Sequence, residues 1–246
     1  HGSISDDKKD KCLKNGEYEW EGGVLPTIKK LHNRKINGLT IKIYKLCSGV
    51  KGMLVKNQKK YRKIVKSGKK ITLTHEYKNI KRQNIILDKI NQFEKLGFKN
   101  IILAGHSAGA WASLNLQSRF PDKIKGTIAL NPAFAGWKQE WQDEYPEWGA
   151  FRENEINIIK ESNNLKAILF SHNNDKFEDP ETLSFFKDFN KLQFIDYSEI
   201  DPTSCYWPDV NKKMKKNDGH SLDQTKCFEK YIEKNNYFIK FLEDLF

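Results

Sequence analysis

Long apolar runs are missing from this sequence. No stretch approaches the roughly 18 apolar residues of a membrane-spanning helix, so we expect no transmembrane segment. No signal peptide is recognisable in the first residues. Arginine-rich stripes with interleaved aromatic residues are also absent, which argues against a nucleic-acid partner. A length of 246 residues, with 12% aromatic and 30% charged residues, is typical of a single α/β domain with an ample core, predicted to span residues 1–246.

Acidic residues are outnumbered by basic ones. The chain carries 43 Lys and Arg against 32 Asp and Glu, which gives a formal net charge of +11. The excess is mostly lysine, spread over the residues before Ile101 and around Lys212 to Lys216. We interpret it as a solvated basic face, and weak association with anionic surfaces is the alternative.

Cysteine is scarce, and none of the four residues stands in a C-x-x-C or zinc-binding spacing, so no metal site is expected. Their even number permits two disulfides, Cys12 with Cys47 and Cys205 with Cys227. If both pairs form, the protein belongs to an oxidising compartment, periplasmic or secreted. Four reduced thiols in a cytoplasmic protein are the alternative.

The strongest signal in the chain lies in residues 100–120. A short apolar run, Ile101–Ala104, predicts a buried strand, and the Ala- and Leu-rich residues 108–119 predict a helix. Between them stands Gly105-His106-Ser107-Ala108-Gly109, a G-x-S-x-G pentapeptide. A strand that turns into a helix within one residue strains that residue's backbone, and the glycines leave room for the turn. The serine hydroxyl is then held clear of the sheet edge, and the Ala108 N–H is free to face an anion. The alternative is a tight turn with a surface serine.

This stretch resembles the nucleophile elbow of the α/β-hydrolase fold. The resemblance implies that Ser107 is a catalytic nucleophile and that the Ala108 N–H forms half of an oxyanion hole. In that fold, a loop after an earlier strand that often ends in His-Gly gives the second N–H. If His1-Gly2 is native, Ser3 offers that donor, and the first strands of the usual sheet are absent from this chain. The alternative is that these residues are the remnant of a histidine tag.

The rest of the chain alternates predicted strands and helices. Strands are predicted at 39–46, 124–130, 165–171 and 192–197, and helices at 24–33, 58–66, 79–96, 153–162, 180–189 and 224–245. This order predicts an α/β fold with a doubly wound, mainly parallel sheet flanked by helices. The loop at 47–52 is expected at the carboxyl edge of the sheet, where ligands approach.

The resemblance also implies an acid after the penultimate strand and a histidine before the last helix. Asp175 stands a few residues past the strand at 165–171, with Asp179 in reserve. Of the six histidines, only His220 follows both Ser107 and Asp175, as the order of the triad requires.

Aromatic residues are concentrated between two predicted strands. We predict a small cap insertion within residues 133–163, with Trp137, Trp141 and Trp148 lining an apolar substrate pocket and His106 packing beside it. The alternative is that these rings pack on the body of the domain.

These features predict a serine hydrolase that cleaves a small-molecule carboxylic ester without a cofactor. The order of elements from residue 39 onwards resembles the esterase and dienelactone hydrolase-like branches of the α/β-hydrolase fold. True dienelactone hydrolases use Cys where this chain has Ser107, so the resemblance does not imply a dienelactone substrate. An amidase, peptidase or perhydrolase on the same triad, and a non-catalytic binding protein with the same fold, are the alternatives.

Overall fold

The centre of the fold is a sheet of parallel strands in sequential order. The computed structural model describes residues 26–46, 78–134, 136–144, 146–162, 164–206, 214 and 218–246. Its strands are β1 (Lys35–Ile36), β2 (Leu39–Thr40), β3 (Ile101–Ser107), β4 (Ile124–Pro132), β5 (Ala167–Ser171) and β6 (Leu192–Asp196). Strands β3 to β6 pair in that order, all parallel, while β1 and β2 form a separate antiparallel hairpin.

Helices follow most strands of the sheet. The α-helices are α1 (Pro26–Lys29), α2 (Lys78–Lys95), α3 (Ala108–Arg119), α4 (Pro146–Lys160), α5 (Lys226–Asn235) and α6 (Tyr237–Leu245). A π-helical turn covers Glu140–Glu144, and 3₁₀ turns cover Ser184–Asp188, Pro202–Ser204 and Gly219–Gln224. No helix in the described part of the chain combines the length and the apolarity needed to cross a bilayer.

Both faces of the sheet are covered. In β4, Ile128 and Leu130 pack into a cluster with residues of α5 and α6, whereas Ala129 between them packs into a second cluster with residues of α3 and α4. Successive side chains of a strand point to opposite faces, so a strand buried on both sides has to be apolar throughout. This confirms the predicted α/β class, with a parallel sheet and helices on both faces.

The parallel arrangement also decides where loops can meet. The carboxyl ends of parallel strands share one edge of the sheet, which is where ligands bind in open α/β folds. Ser107 ends β3, Asn131 lies near the end of β4, Asp175 follows β5, and His220 lies beyond β6. Four distant parts of the sequence therefore reach one edge.

Five predicted elements differ from the structure. The helix predicted at 24–33 ends at Lys29, and the helix predicted at 153–162 begins at Pro146 and ends at Lys160. The strand predicted at 39–46 extends only over Leu39–Thr40, because it pairs in a short hairpin around Asn37-Gly38, and residues 41–46 join no ladder with any described strand. The helix predicted at 180–189 is a turn followed by the 3₁₀ segment Ser184–Asp188. The helix predicted at 224–245 is broken into α5 and α6 by Asn236, whose left-handed backbone (φ 54°) cannot continue a helix.

One further prediction is confirmed, and several others concern residues outside the described ranges. Cys205 and Cys227 form the predicted disulfide, with their Cα atoms 5.7 Å apart. Ser3, the Cys12–Cys47 pair, the helix at 58–66 and the loop at 47–52 lie outside the described residues. The single-domain extent and the cap at 133–163 stay predictions.

Candidate active site

Ser107 sits at a sharp turn between β3 and α3. Its backbone has φ 57° and ψ −131°, a strained combination for a residue with a side chain. Gly105 makes the turn possible, because a Cβ there would lie 2.6 Å from the carbonyl carbon of Gly109 and 2.7 Å from the nitrogen of Ala110. Both atoms are main chain and cannot swing aside. The first turn of α3 therefore packs directly against the strand, as the pentapeptide predicted.

The structure brings together the three side chains singled out in the sequence. Nε2 of His220 lies 2.9 Å from Oγ of Ser107, and Nδ1 of His220 lies 2.7 Å from Oδ2 of Asp175. Asp175 and His220 are 3% and 8% exposed, so water competes little for these hydrogen bonds. With Nδ1–H donating to the carboxylate, Nε2 is left as the acceptor for the serine hydroxyl.

The carboxylate of Asp175 is held in a fixed orientation. Its Oδ1 accepts the backbone N–H of Phe177 at 2.8 Å, which leaves Oδ2 directed at His220. Burial raises the pKa of Asp175, while the hydrogen bond to His220 acts in the opposite direction. Asp179, the reserve candidate, instead accepts from the ammonium of Lys138 at 2.8 Å and from the N–H of Thr182.

His106 lies behind His220. Its Nε2–H donates to the main-chain carbonyl of His220 at 2.9 Å. Burial lowers the pKa of His106 to about 3, and the proximity of His220 is the second cause of this shift. His106 is therefore a neutral imidazole at ordinary pH. The ring is buried and supports the turn that carries His220.

Several residues around His220 were not singled out from the sequence. The ring of Phe177 stacks on His220 with centroids 4.2 Å apart, and Asp218 accepts the His220 N–H at 3.1 Å. Asn131 and Tyr197 contact the same turn from β4 and from the end of β6. Asn131 directly follows a predicted strand, and that position is the one signal that could have identified it.

A buried ion pair fixes the loop after β5 to α4. The guanidinium of Arg152 donates through Nε and Nη2 to the two carboxylate oxygens of Glu178, both at 2.8 Å, and it also donates to the carbonyl of Thr182 at 2.8 Å. The ring of Trp141 lies against the guanidinium, 4.4 Å from centroid to Cζ. Glu178 is close to Asp175 in sequence, so this pair anchors the acid-bearing loop.

The predicted substrate-binding tryptophans occupy different environments. Trp137 is 55% exposed, whereas Trp141 and Trp148 are buried. Trp141 packs on Arg152, and Trp148 packs closely over Gly136. A role in substrate binding stays a prediction for all three, as it does for His106.

Comparison with known proteins gives no match to a family model and none to a curated protein. Among solved structures, the chain is similar to a monoacylglycerol lipase from Paleococcus ferrophilus (14% identity, TM-score 0.39, covering 66% of this chain and 76% of that one). It is also similar to the naproxen esterase of Bacillus subtilis (13% identity, TM-score 0.37, covering 65% of this chain and 66% of that one). A puromycin hydrolase is similar as well (12% identity, TM-score 0.37, covering 48% of this chain and 21% of that one). The chain thus spans about a fifth of the puromycin hydrolase.

Likeness at this level transfers neither substrate nor mechanism. The assignment of the fold rests on the chain's own geometry: a parallel sheet covered on both faces, a sharp strand–helix turn at Ser107, and loops from successive strands that meet at one edge. That arrangement is an α/β fold with a parallel sheet, and it resembles the α/β-hydrolase fold.

Proposed function

We propose that this chain is a serine hydrolase that cleaves a carboxylic ester through an acyl-enzyme intermediate. Ser107 is the nucleophile, His220 the general base, and Asp175 the residue that orients the imidazole. The observation that carries the proposal is the unbroken path of hydrogen bonds from Asp175 Oδ2 through His220 to Ser107 Oγ, with steps of 2.7 and 2.9 Å.

Each residue type suits its step. A serine hydroxyl is a weak nucleophile until a base removes its proton, and Nε2 of His220 is within reach of that proton. As Oγ bonds to the ester carbonyl carbon, the proton passes to His220 and the carbonyl oxygen becomes an oxyanion. His220 then gives the proton to the leaving alcohol, and a water molecule repeats the sequence to release the acid. The ionised Asp175 stabilises the imidazolium throughout.

The oxyanion needs donors near the serine. The N–H of Ala108 is the first of α3, whose N-terminus adds a positive partial charge to the same place. Ser3 is the proposed second donor. Loss of one such donor typically raises the barrier by about 3 to 4 kcal/mol.

The substrate we propose is a small-molecule ester with an apolar acyl group. Aromatic side chains in the proposed cap at 133–163 are suited to bind it. The proposed chemistry needs no cofactor. The positive net charge of +11 is consistent with weak association with anionic surfaces, and activity that does not change with salt would argue against that role.

The test is hydrolysis of p-nitrophenyl esters of short and medium chain length. Ser107→Ala should abolish the activity above background. Ser118→Ala is the matched control, because it removes a buried hydroxyl from the far end of α3, where Oγ donates to the carbonyl of Asn115. Equal rates in wild type and Ser107→Ala would reject the proposal. A parallel panel of anilides and peroxide-dependent assays separates an ester hydrolase from an amidase or a perhydrolase.

A further inference from the structure

Asn131 lies near the end of β4, beside the turn that carries His220. Its side chain is fully buried, and its backbone lies in the left-handed region with φ 43°. Asn adopts this region more readily than most residues with a side chain. The main chain therefore turns at Asn131 and aims an amide into the space behind the proposed site.

The amide of Asn131 contacts the main chain of the His220 turn. Nδ2 lies 3.2 Å from the carbonyl oxygen of Gly219 and 3.1 Å from that of His220. The hydroxyl of Tyr197 lies 2.7 Å from Nδ2 and 2.9 Å from Oδ1, so it fixes the plane of the amide. Nδ2 carries two hydrogens, which it shares among the Tyr197 hydroxyl and the two carbonyls of the His220 turn.

Tyr197 is itself immobilised by packing. Its ring is fully buried against Phe170 and Phe228 at centroid distances of 6.4 and 5.1 Å. Burial raises the pKa of Tyr197 well above its usual value, so the hydroxyl stays neutral and keeps its proton for Oδ1 of Asn131. The amide is thus oriented from the core of the protein.

We propose that Asn131 is a positioning residue for the hydrolysis: it holds the main chain at Gly219 and His220 so that Nε2 of His220 stays within reach of Oγ of Ser107. The inference rests on the proposed function. Contacts of the imidazole fix the ring, whereas Asn131, with His106 at the same carbonyl, holds the backbone from which the ring projects. A displacement of about 1 Å at such a site can lower the rate by about 100-fold.

The experiment compares three variants. Asn131→Gly removes the amide, and glycine accepts the left-handed backbone without strain. Tyr197→Phe keeps the buried ring and removes the hydroxyl, which orients the amide and also lies 3.4 Å from the carbonyl oxygen of Gly219. Thr127→Ala is the matched control, because it deletes a buried hydrogen-bonding side chain from the same strand, where the hydroxyl bonds to the carbonyl of Ser113 on the far side from His220.

Two readouts are measured on each folded variant: kcat and KM for a p-nitrophenyl ester, and the low-field proton resonance of the His220 Nδ1–H that donates to Asp175. We expect Asn131→Gly to lower kcat by about 100-fold with KM changed by less than about threefold, and Tyr197→Phe to lower kcat by about tenfold. Both should shift or broaden the resonance, and Thr127→Ala should change neither readout.

Wild-type kcat together with a wild-type resonance in Asn131→Gly would overturn the inference. Should that variant not fold, the same result in Tyr197→Phe would overturn it. If the wild type does not hydrolyse esters, the proposed function fails, and the resonance alone still decides whether Asn131 positions His220.

Discussion

Replacing Glu178 by Gln should leave a charged guanidinium in the core without its partner. Glu178 is fully buried and Arg152 nearly so, and the two are joined by two parallel hydrogen bonds of 2.8 Å. Removal of one partner of a buried pair costs about 3 to 5 kcal/mol, because the remaining charge is left unpaired. Arg152 keeps the carbonyl of Thr182, a half-exposed contact to Glu153 and the face of Trp141. We therefore expect Glu178→Gln to lower the free energy of unfolding by about 3 kcal/mol, the lower end of that range.

A double-mutant cycle separates the contribution of the Arg152–Glu178 ion pair to stability from that of side-chain packing. Burial raises the pKa of Glu178 to about 6, so its desolvation outweighs the attraction of Arg152. Glu178→Gln combined with Arg152→Met should therefore be more stable than Glu178→Gln alone. The free energy of unfolding is measured by urea titration followed by circular dichroism.

Lys138→Met is the matched control for this cycle. It removes a partly exposed ion pair with Asp179 from the same loop, and such a pair is worth less than about 1 kcal/mol. Two results would contradict this prediction. One is a loss of unfolding free energy in Glu178→Gln no larger than in Lys138→Met, and the other is a loss in the double variant equal to the sum of the losses in the single variants.

Three further predictions concern single positions. Gly105→Ala should destabilise the fold by roughly 1 to 3 kcal/mol and abolish ester hydrolysis, because its Cβ would lie 2.6 Å from the backbone of Gly109. A melting curve measures the loss of stability, and the ester assay measures the loss of activity. Asp175→Asn should lower kcat by roughly 10⁴-fold with folding intact, because His220 would present the wrong tautomer to Ser107. Burial raises the pKa of Glu155 from 4.5 to about 8, so the folded state holds a proton that the unfolded state loses. The contribution of Glu155 to wild-type stability should then fall between about pH 5 and pH 8, by at most about 1.4 kcal/mol per pH unit, and the total fall should be smaller in Glu155→Gln.

Each of these has a result that contradicts it. Wild-type hydrolysis by a stable Gly105→Ala protein would show that the turn tolerates a side chain. A kcat for Asp175→Asn within tenfold of wild type would remove the acid from the mechanism. Parallel curves of stability against pH for wild type and Glu155→Gln would mean that Glu155 is ionised in the folded protein.

The part of the fold that was predictable depends on short patterns. Short, mostly apolar stretches at 101–104, 124–130 and 165–171 predicted β3, β4 and β5, because strands buried on both faces tolerate few polar side chains. The glycines around Ser107 marked the turn because a Cβ at Gly105 would collide with backbone. The order of Ser107, Asp175 and His220 followed from the resemblance, and the structure places their side chains in contact.

Where a sequence pattern gave a wrong prediction, the contacts of single residues explain the difference. Thr182 bonds to both the side chain and the carbonyl of Asp179, and these local bonds compete with a regular helix at 180–189. Asn236 interrupts an apolar periodicity that runs through α5 and α6 without a visible break. The contacts of Asn131 with the His220 turn join residues 89 apart in the sequence, and no local pattern carries such information.

The most direct test of the central claim is to treat the native protein with a fluorophosphonate and locate the adduct by mass spectrometry. We expect one adduct, on Oγ of Ser107, formed in the wild type and in Ser118→Ala, and strongly slowed in His220→Ala. No adduct, an adduct on another residue, or labelling of His220→Ala as fast as the wild type would contradict it.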